Sequence, residues 1–257
     1  MIYTAAATSL APFAAAPPFS ATAQALLDAA HILLPDLEHG HAIDTRLLRA
    51  AMVTAFGATD AEGAWDWKSA YDACEAAQVL FLRKYGSAIV RKSGSAHRRL
   101  ALVDQVAALL PTHTRRSEAS QALQQFSTPA GLALVAAIAA GVQPGDCVLE
   151  PSAGTGLLAI QAEVAGARLA LNELAEIRAE LLARLFPNVA VTRYDAAYIH
   201  DYLSPAVAPD VVLMNPPFSA VAHVDRAMKD AALRHIGSAR ARLRPGGRLV
   251  AITGASC

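Results

Sequence analysis

The sequence predicts an α/β fold: a helical region followed by a parallel sheet with helices on both faces. Three observations carry this. From residue 129 onward short β-rich runs alternate with helical stretches, the order that builds a parallel sheet. A glycine turn, Gly154-Thr155-Gly156, stands between the apolar Val148-Leu149 and the apolar Leu157-Leu158-Ala159-Ile160, reading as strand, tight turn and helix start. From about 21 to 112 the signals are helical, and each predicted helix stops at a glycine or proline.

Residues 1 to 20 are rich in Ala, Pro and Ser and lack the positive start of a secretory signal, so they read as a disordered tail. The helical N-terminal domain spans 21–112. Its predicted helices run from Ala21 to Leu34 ending at Pro35, Asp44 to Phe56 ending at Gly57, Asp66 to Tyr85 ending at Gly86, and Ser95 to Leu110 ending at Pro111. No repeat recurs at a fixed period, which excludes a solenoid. The second domain spans 113–257. It opens on a helix capped by Thr128, with Pro129 in the first helical position, an apolar stretch from Leu132 to Ala140, and Gly141 beyond it. Strands are predicted at Cys147 to Glu150, Arg168 to Asn172, Val189 to Tyr194, Asp210 to Met214 and Arg248 to Thr253.

Composition bounds the class. Hydrophobic residues make up 54% of the chain, but alanine supplies much of this, and no stretch reaches the roughly 18 to 20 strongly apolar residues of a membrane span. A folded cytoplasmic enzyme is expected. The three cysteines, Cys74, Cys147 and Cys257, have neither paired nor Cys-x-x-Cys spacing, so neither disulfides nor structural zinc is expected. His39 and His41 have no further ligand nearby in sequence, and no metal is assigned. Net charge is zero, yet eight Lys or Arg residues and one acid, Asp104, lie between Arg83 and Arg116. That stretch reads either as a phosphate-contacting surface or as a solvated helix face.

Asn215-Pro216-Pro217-Phe218 follows the apolar run Val211 to Met214. An Asn side-chain oxygen and the carbonyl of the first proline can both accept from one planar NH2 group, and the aromatic offers a stacking face. Asn-Pro-Pro by itself also makes a strand-ending turn. Glu173 lies seventeen residues past Gly156, after a mostly apolar run, where an acid can grip ribose hydroxyls. The loop with its later acid also fits a nicotinamide dinucleotide, so the loop alone leaves the cofactor open. Glu150, Glu173, Asp195 and Asn215 all fall at predicted carboxyl ends of strands, where ligands gather in such sheets.

Gln125-Phe126-Ser127-Thr128-Pro129, Glu150-Pro151-Ser152-Ala153-Gly154-Thr155-Gly156 and Asn215-Pro216-Pro217-Phe218 occur in that order. In this the chain resembles the S-adenosylmethionine-dependent N6-adenine DNA methyltransferases. More narrowly, residues from about 115 to 254 look like the methylase part of bacterial and phage methylase-helicase proteins related to the Strawberry notch family and to antirestriction proteins. The resemblance implies a Rossmann-like class I methyltransferase sheet. Here that sheet stops after its fifth strand, so a C-terminally incomplete domain within a larger protein is expected, with DNA and a helicase-like region or partner chain as partners.

The same resemblance implies roles. Asn215, Pro216, Pro217 and Phe218 would hold and stack the flipped adenine. Phe126, Ser127, Thr128, Pro129 and Glu150 would meet the methionine end of S-adenosylmethionine. The loop Pro151, Ser152, Ala153, Gly154, Thr155 and Gly156 would approach it closely, Glu173 would bind its ribose, and Asp195 its adenine amino group. Each acid also reads as a strand-end cap. RNA or protein-glutamine amino-methyltransferases use a similar Asn-Pro-Pro-aromatic site, and a catalytically weak cofactor-binding and DNA-docking module remains a third reading.

Overall fold

The computed structural model describes residues 20–111, 127–216 and 231–253. Residues 1–19 of the expected tail, Phe126, Pro217, Phe218, and Arg115 and Arg116 of the basic stretch lie outside them, whereas Ser20, assigned to the tail from sequence, caps the first helix by accepting from the amide of Ala23.

The sheet has five strands: β1 (Cys147–Glu150), β2 (Arg168–Asn172), β3 (Val191–Thr192), β4 (Val211–Met214) and β5 (Arg248–Ala251). All pairings are parallel, in the order β3-β2-β1-β4-β5. The chain therefore reverses direction across the sheet between β1 and β4, the switch point where α/β sheets bind ligands. Alternation along the two central strands divides the core. Val148, Val211 and Leu213 pack with Ala133, Leu158 and Ala162 on one face, while Leu149, Val212 and Met214 pack with Ile199, Leu203 and Ala239 on the other.

The first face carries helices α5 (Ala130–Ala139) and α6 (Leu157–Val164), whereas α7 (Glu176–Leu185) follows β2. The second carries the short α8 (Ile199–Tyr202) and α9 (Ala231–Ala241). Four of the predicted strands lie where expected to within a residue or two. The ladder of β3 is shorter than predicted, because the amide of Val189 turns back to the carbonyl of Phe186 and Tyr194 pairs with a side chain, that of Asn172.

The helical region contains α1 (Ala21–His39), α2 (Thr45–Phe56), α3 (Trp67–Ser93) and α4 (Ala96–Ala107). Asp44, Asp66 and Ser95 cap the last three through their side chains. Two predicted stops are overridden. Helix α1 runs through Pro35 to end at Gly40, carrying Leu33 and Leu37 into the core on either side of the proline. Helix α3 runs through Gly86 because that glycine is a contact point and not an end. A Cβ there would lie 2.6 Å from Cγ2 of Val164, so the missing side chain lets α3 lie against α6.

Helix α4 stops before the predicted Leu110, where the carbonyl of Leu109 is taken by the amide of Ile43. Thr128 does not cap α5. Pro129 takes the cap position without a side-chain bond, and Thr128 is engaged elsewhere.

One core cluster runs through both regions, joining Leu33, Leu48, Met52 and Val79 to Ile160, Leu182 and Phe186. Two members of the basic stretch serve this packing. Arg83 pairs with Glu163 through two nitrogens at 2.7 and 3.2 Å and lies over the Phe186 ring, and Lys84 pairs with Glu38 at 2.6 Å. Arg91, Lys92 and Arg98, around the α3–α4 turn, are exposed. Among the described residues no helix is long and apolar enough to cross a membrane.

Candidate cofactor and substrate site

The loop between β1 and α6 starts at Glu150, whose position in the last turn of β1 buries it almost completely, at 2% exposure. Burial pushes its carboxyl well above the usual carboxylate range and the neighbouring charge of Glu173 adds to this, against a backbone hydrogen bond from Ala159. Oε2 of Glu150 has no hydrogen-bond partner among the described residues. A buried, unpartnered carboxylate oxygen is costly unless a cationic or donor group completes it.

The two loop glycines do different work. Both have positive φ, 55° at Gly154 and 91° at Gly156. A Cβ on Gly156 would lie 2.5 Å from Cε2 of Phe186, so this glycine exists for packing against α7. A Cβ on Gly154 would meet only Nη1 of Arg178, at 3.8 Å. No tight contact within the chain accounts for this glycine, and its bare backbone allows a ligand to approach closely. Its N–H donates to Oε2 of Glu173 at 2.8 Å, and the amide of Ala175 donates to Oε1 at 2.9 Å. Glu173 is thus held against the loop while each oxygen retains a lone pair for a hydroxyl donor. Beside it Leu174 is 51% exposed, a large apolar face at the end of β2.

Asn172, the last residue of β2, joins three strand ends. Its Nδ2 donates to the carbonyls of Pro151 and Tyr194, and its Oδ1 accepts from the hydroxyl of Thr192 and the amide of Tyr194, all at 2.8 Å. The sequence reading passed over this residue. Its signal was an amide at a strand position with no water to pair with. Asp195 follows Tyr194, is exposed, and accepts from the amide of Ala197 at 2.9 Å. It lies 3.9 Å from Nε2 of His235 on α9. Burial lowers the pKa of that histidine, with Arg234 adding to the shift and Asp195 opposing it.

At the end of β4, Asn215 donates its side-chain amide to the hydroxyl of Thr128 at 3.0 Å. Ser127, Thr128, Glu150, Ser152, Gly154 and Asn215 line one enclosed cleft beside the switch point, with Thr155, Leu157, Leu158 and Arg178 behind them. The structure therefore brings together the described parts of all three motifs. Glu173 touches the loop directly, and Asp195 stands outside the cleft. The residue types fit S-adenosylmethionine: a buried acid with an unpartnered oxygen for a cationic amino-acid end, a glycine backbone that allows close approach, and an acid with a neighbouring apolar face for a nucleoside.

Residues 130–256 match the family model of the methyltransferase small domain. No curated protein matches the sequence. Among solved structures the chain is similar to TrmN from Thermus thermophilus, with 24% identity over 53% of this chain and 41% of that one and a TM-score of 0.43. It is also similar to a candidate RNA methyltransferase, PH1948, from Pyrococcus horikoshii, with 22% identity over 62% of this chain and 75% of that one and a TM-score of 0.45. A third is the modification subunit of a candidate type I restriction enzyme from Vibrio vulnificus, with 19% identity over 59% of this chain and 43% of that one and a TM-score of 0.39. Likenesses at this level identify no substrate. The family match, just under half of the chain, falls on the five-stranded sheet and its ligand-facing loops; the fold is that of a class I methyltransferase, and its cofactor is S-adenosylmethionine.

Proposed function

We propose that this chain transfers a methyl group to the N6 amino group of adenine in DNA. The observation that carries the proposal is the bond from Asn215 to Thr128. With the amide nitrogen committed to Thr128, the amide oxygen of Asn215 is the atom that accepts from a substrate amino group. The Pro216 carbonyl adds a second acceptor from the same turn, and Phe218, outside the described residues, supplies the stacking face.

S-adenosylmethionine, when bound, supplies an electrophilic methyl on a sulfonium. Glu150, Ser127 and Thr128 would hold its methionine end, the backbone at Gly154 would approach it, Glu173 would take the ribose hydroxyls, and Leu174 and Asp195 would flank the adenine. An exocyclic amine is a weak nucleophile because its lone pair is delocalised into the ring. Asn215 and Pro216 hold its two hydrogens in fixed directions. As the nitrogen gains positive charge, both acceptors bind it more strongly, which favours the transition state over the ground state. A base in a duplex reaches such a cleft only after leaving the stack. Arg91, Lys92 and Arg98 are the exposed cations available for backbone phosphates.

The Phe126 to Pro129 segment supports DNA adenine over an RNA base or a protein glutamine, because its likeness is to the DNA enzymes. The test presents labelled cofactor to adenine-containing duplex DNA, RNA and protein in parallel, using the longest form of the protein that carries activity. Label in N6-methyladenine, lost on Asn215→Ala with cofactor affinity retained, is the expected result. Label in RNA or glutamine alone overturns the DNA assignment, and full activity of Asn215→Ala overturns the catalytic loop.

A further inference from the structure

Two buried carboxylates of the helical region meet residues that line the cofactor cleft, Glu75 directly on the loop and Asp72 on Arg178 of α7. Asp72 and Glu75 lie on α3, three residues apart and so on one helix face. Asp72 forms a forked pair with Arg178 of α7, Oδ1 accepting from Nη2 at 2.6 Å and from Nε at 3.1 Å. Lys68 adds a third contact to Asp72 at 3.2 Å. Glu75 accepts from the hydroxyl of Thr155 at 2.6 Å through Oε2. Asp72, Glu75, Thr155 and Arg178 are all less than 10% exposed. Burial pushes the Asp72 carboxyl up, and the Arg178 and Lys68 charges outweigh it and hold the group below its ordinary value.

Both partners of these carboxylates belong to the cleft. Thr155 lies between the two loop glycines, and Nη1 of Arg178 is the atom nearest to where a side chain on Gly154 would stand. Arg178 also feels the charges of Glu75 and Glu173. A chain of contacts therefore runs from α3 through Arg178 and Thr155 to the loop, and through the amide of Gly154 to Glu173. Packing alone would not require this. Besides the partly exposed Arg83–Glu163 pair, apolar residues pack α3 against α6 and α7, and charges buried as deeply as Asp72 and Glu75 are costly unless closely paired.

We propose that Asp72 and Glu75 are positioning residues for S-adenosylmethionine, so that the helical region forms the back wall of the cofactor site. Glu75 fixes the Thr155 turn, and Asp72 fixes the guanidinium beneath Gly154. The inference rests on the cofactor assignment and the loop's role in it, and is independent of the methyl acceptor.

The experiment titrates S-adenosylhomocysteine, the demethylated product, by calorimetry into the full chain and its variants, with thermal unfolding measured alongside. Glu75→Ala weakens binding about tenfold or more. Glu75→Gln, whose amide oxygen still accepts from Thr155, recovers most of the loss. Thr155→Val weakens binding similarly, and adding Glu75→Ala to it costs little more, since the two share one hydrogen bond.

A Kd within twofold of wild type in Glu75→Ala, with only a lowered melting temperature, reduces the contact to structural packing and overturns the proposal. Equal losses from Glu75→Ala with and without Thr155→Val overturn it as well. If Glu75→Ala fails to fold, the cycle is run with Glu75→Gln and Thr155→Val, where purely additive losses are the overturning result. Failure of the wild-type chain to bind the product would instead sink the cofactor assignment, before any variant is compared.

Discussion

The side-chain amide of Asn215, at the end of β4, donates to the hydroxyl of Thr128, just before α5, across 87 positions of sequence. If Asn215 receives a substrate amino group as proposed, this bond holds the nitrogen end of its amide and leaves the oxygen end toward the substrate. Thr128→Val removes the acceptor and lets the amide rotate, and turnover is expected to fall by about 10- to 100-fold. Because Thr128 also stands at the proposed methionine end, cofactor affinity should fall as well, by less than turnover does. Single-turnover methylation beside a calorimetric titration separates the two, and a loss confined to cofactor affinity would assign Thr128 to the cofactor alone.

The two glycines of the loop should fail in different ways. Gly156→Ala forces a Cβ to within 2.5 Å of the Phe186 ring at a φ of 91° and is expected to cost about 2–4 kcal/mol of stability. Gly154→Val meets no atom closer than Nη1 of Arg178, but it places a β-branched residue at a φ of 55°. It also fills the approach to the loop, so it should lose cofactor binding together with some stability, without the steric clash of Gly156→Ala. Denaturant unfolding and titration of both variants check this. Equal stability losses with intact binding would refute the division.

Glu150 should couple stability to pH. Its carboxyl is held well above the ordinary value of 4.5, so the folded protein retains a proton that the unfolded chain releases. The folded state then loses stability as pH rises from the ordinary carboxylate range through the raised value. Glu150→Gln cannot ionise and should flatten this limb, raising the melting temperature near neutral pH while weakening the cofactor. Melting curves across the acid to neutral range are the measurement, and an unchanged pH profile in Glu150→Gln would show that another group is responsible.

Asn172→Ala breaks four hydrogen bonds and strands the carbonyls of Pro151 and Tyr194. A loss of about 2–4 kcal/mol is expected, visible as a shifted denaturant midpoint. Because Pro151 and Tyr194 adjoin the loop and Asp195, cofactor affinity should fall with it. A shift below about 0.5 kcal/mol, the size of an ordinary surface change, would mean that water replaces the amide.

Local pattern determined most of the elements. The continuous apolar run Val211 to Met214, buried on both faces of the sheet, and the glycine turn after Glu150 are properties of adjacent residues, so strand, loop and helix were legible, as was the gathering of Glu150, Glu173 and Asn215 at strand ends. What the sequence could not show depends on residues far apart in the chain. Pro35 and Gly86 carry the chemistry of helix stops, yet Leu33 and Leu37 bury against the core around the first, and Val164 occupies the space beside the second. Thr128 has the chemistry of a helix cap and became the partner of Asn215 instead. Asp72, Glu75 and Arg83 looked like ordinary helix-surface charges until α3 was laid on α6 and α7, which desolvates them and makes Arg178, Thr155 and Glu163 their partners. Burial of a charge is decided by which elements pack together, and only the tertiary structure decides that.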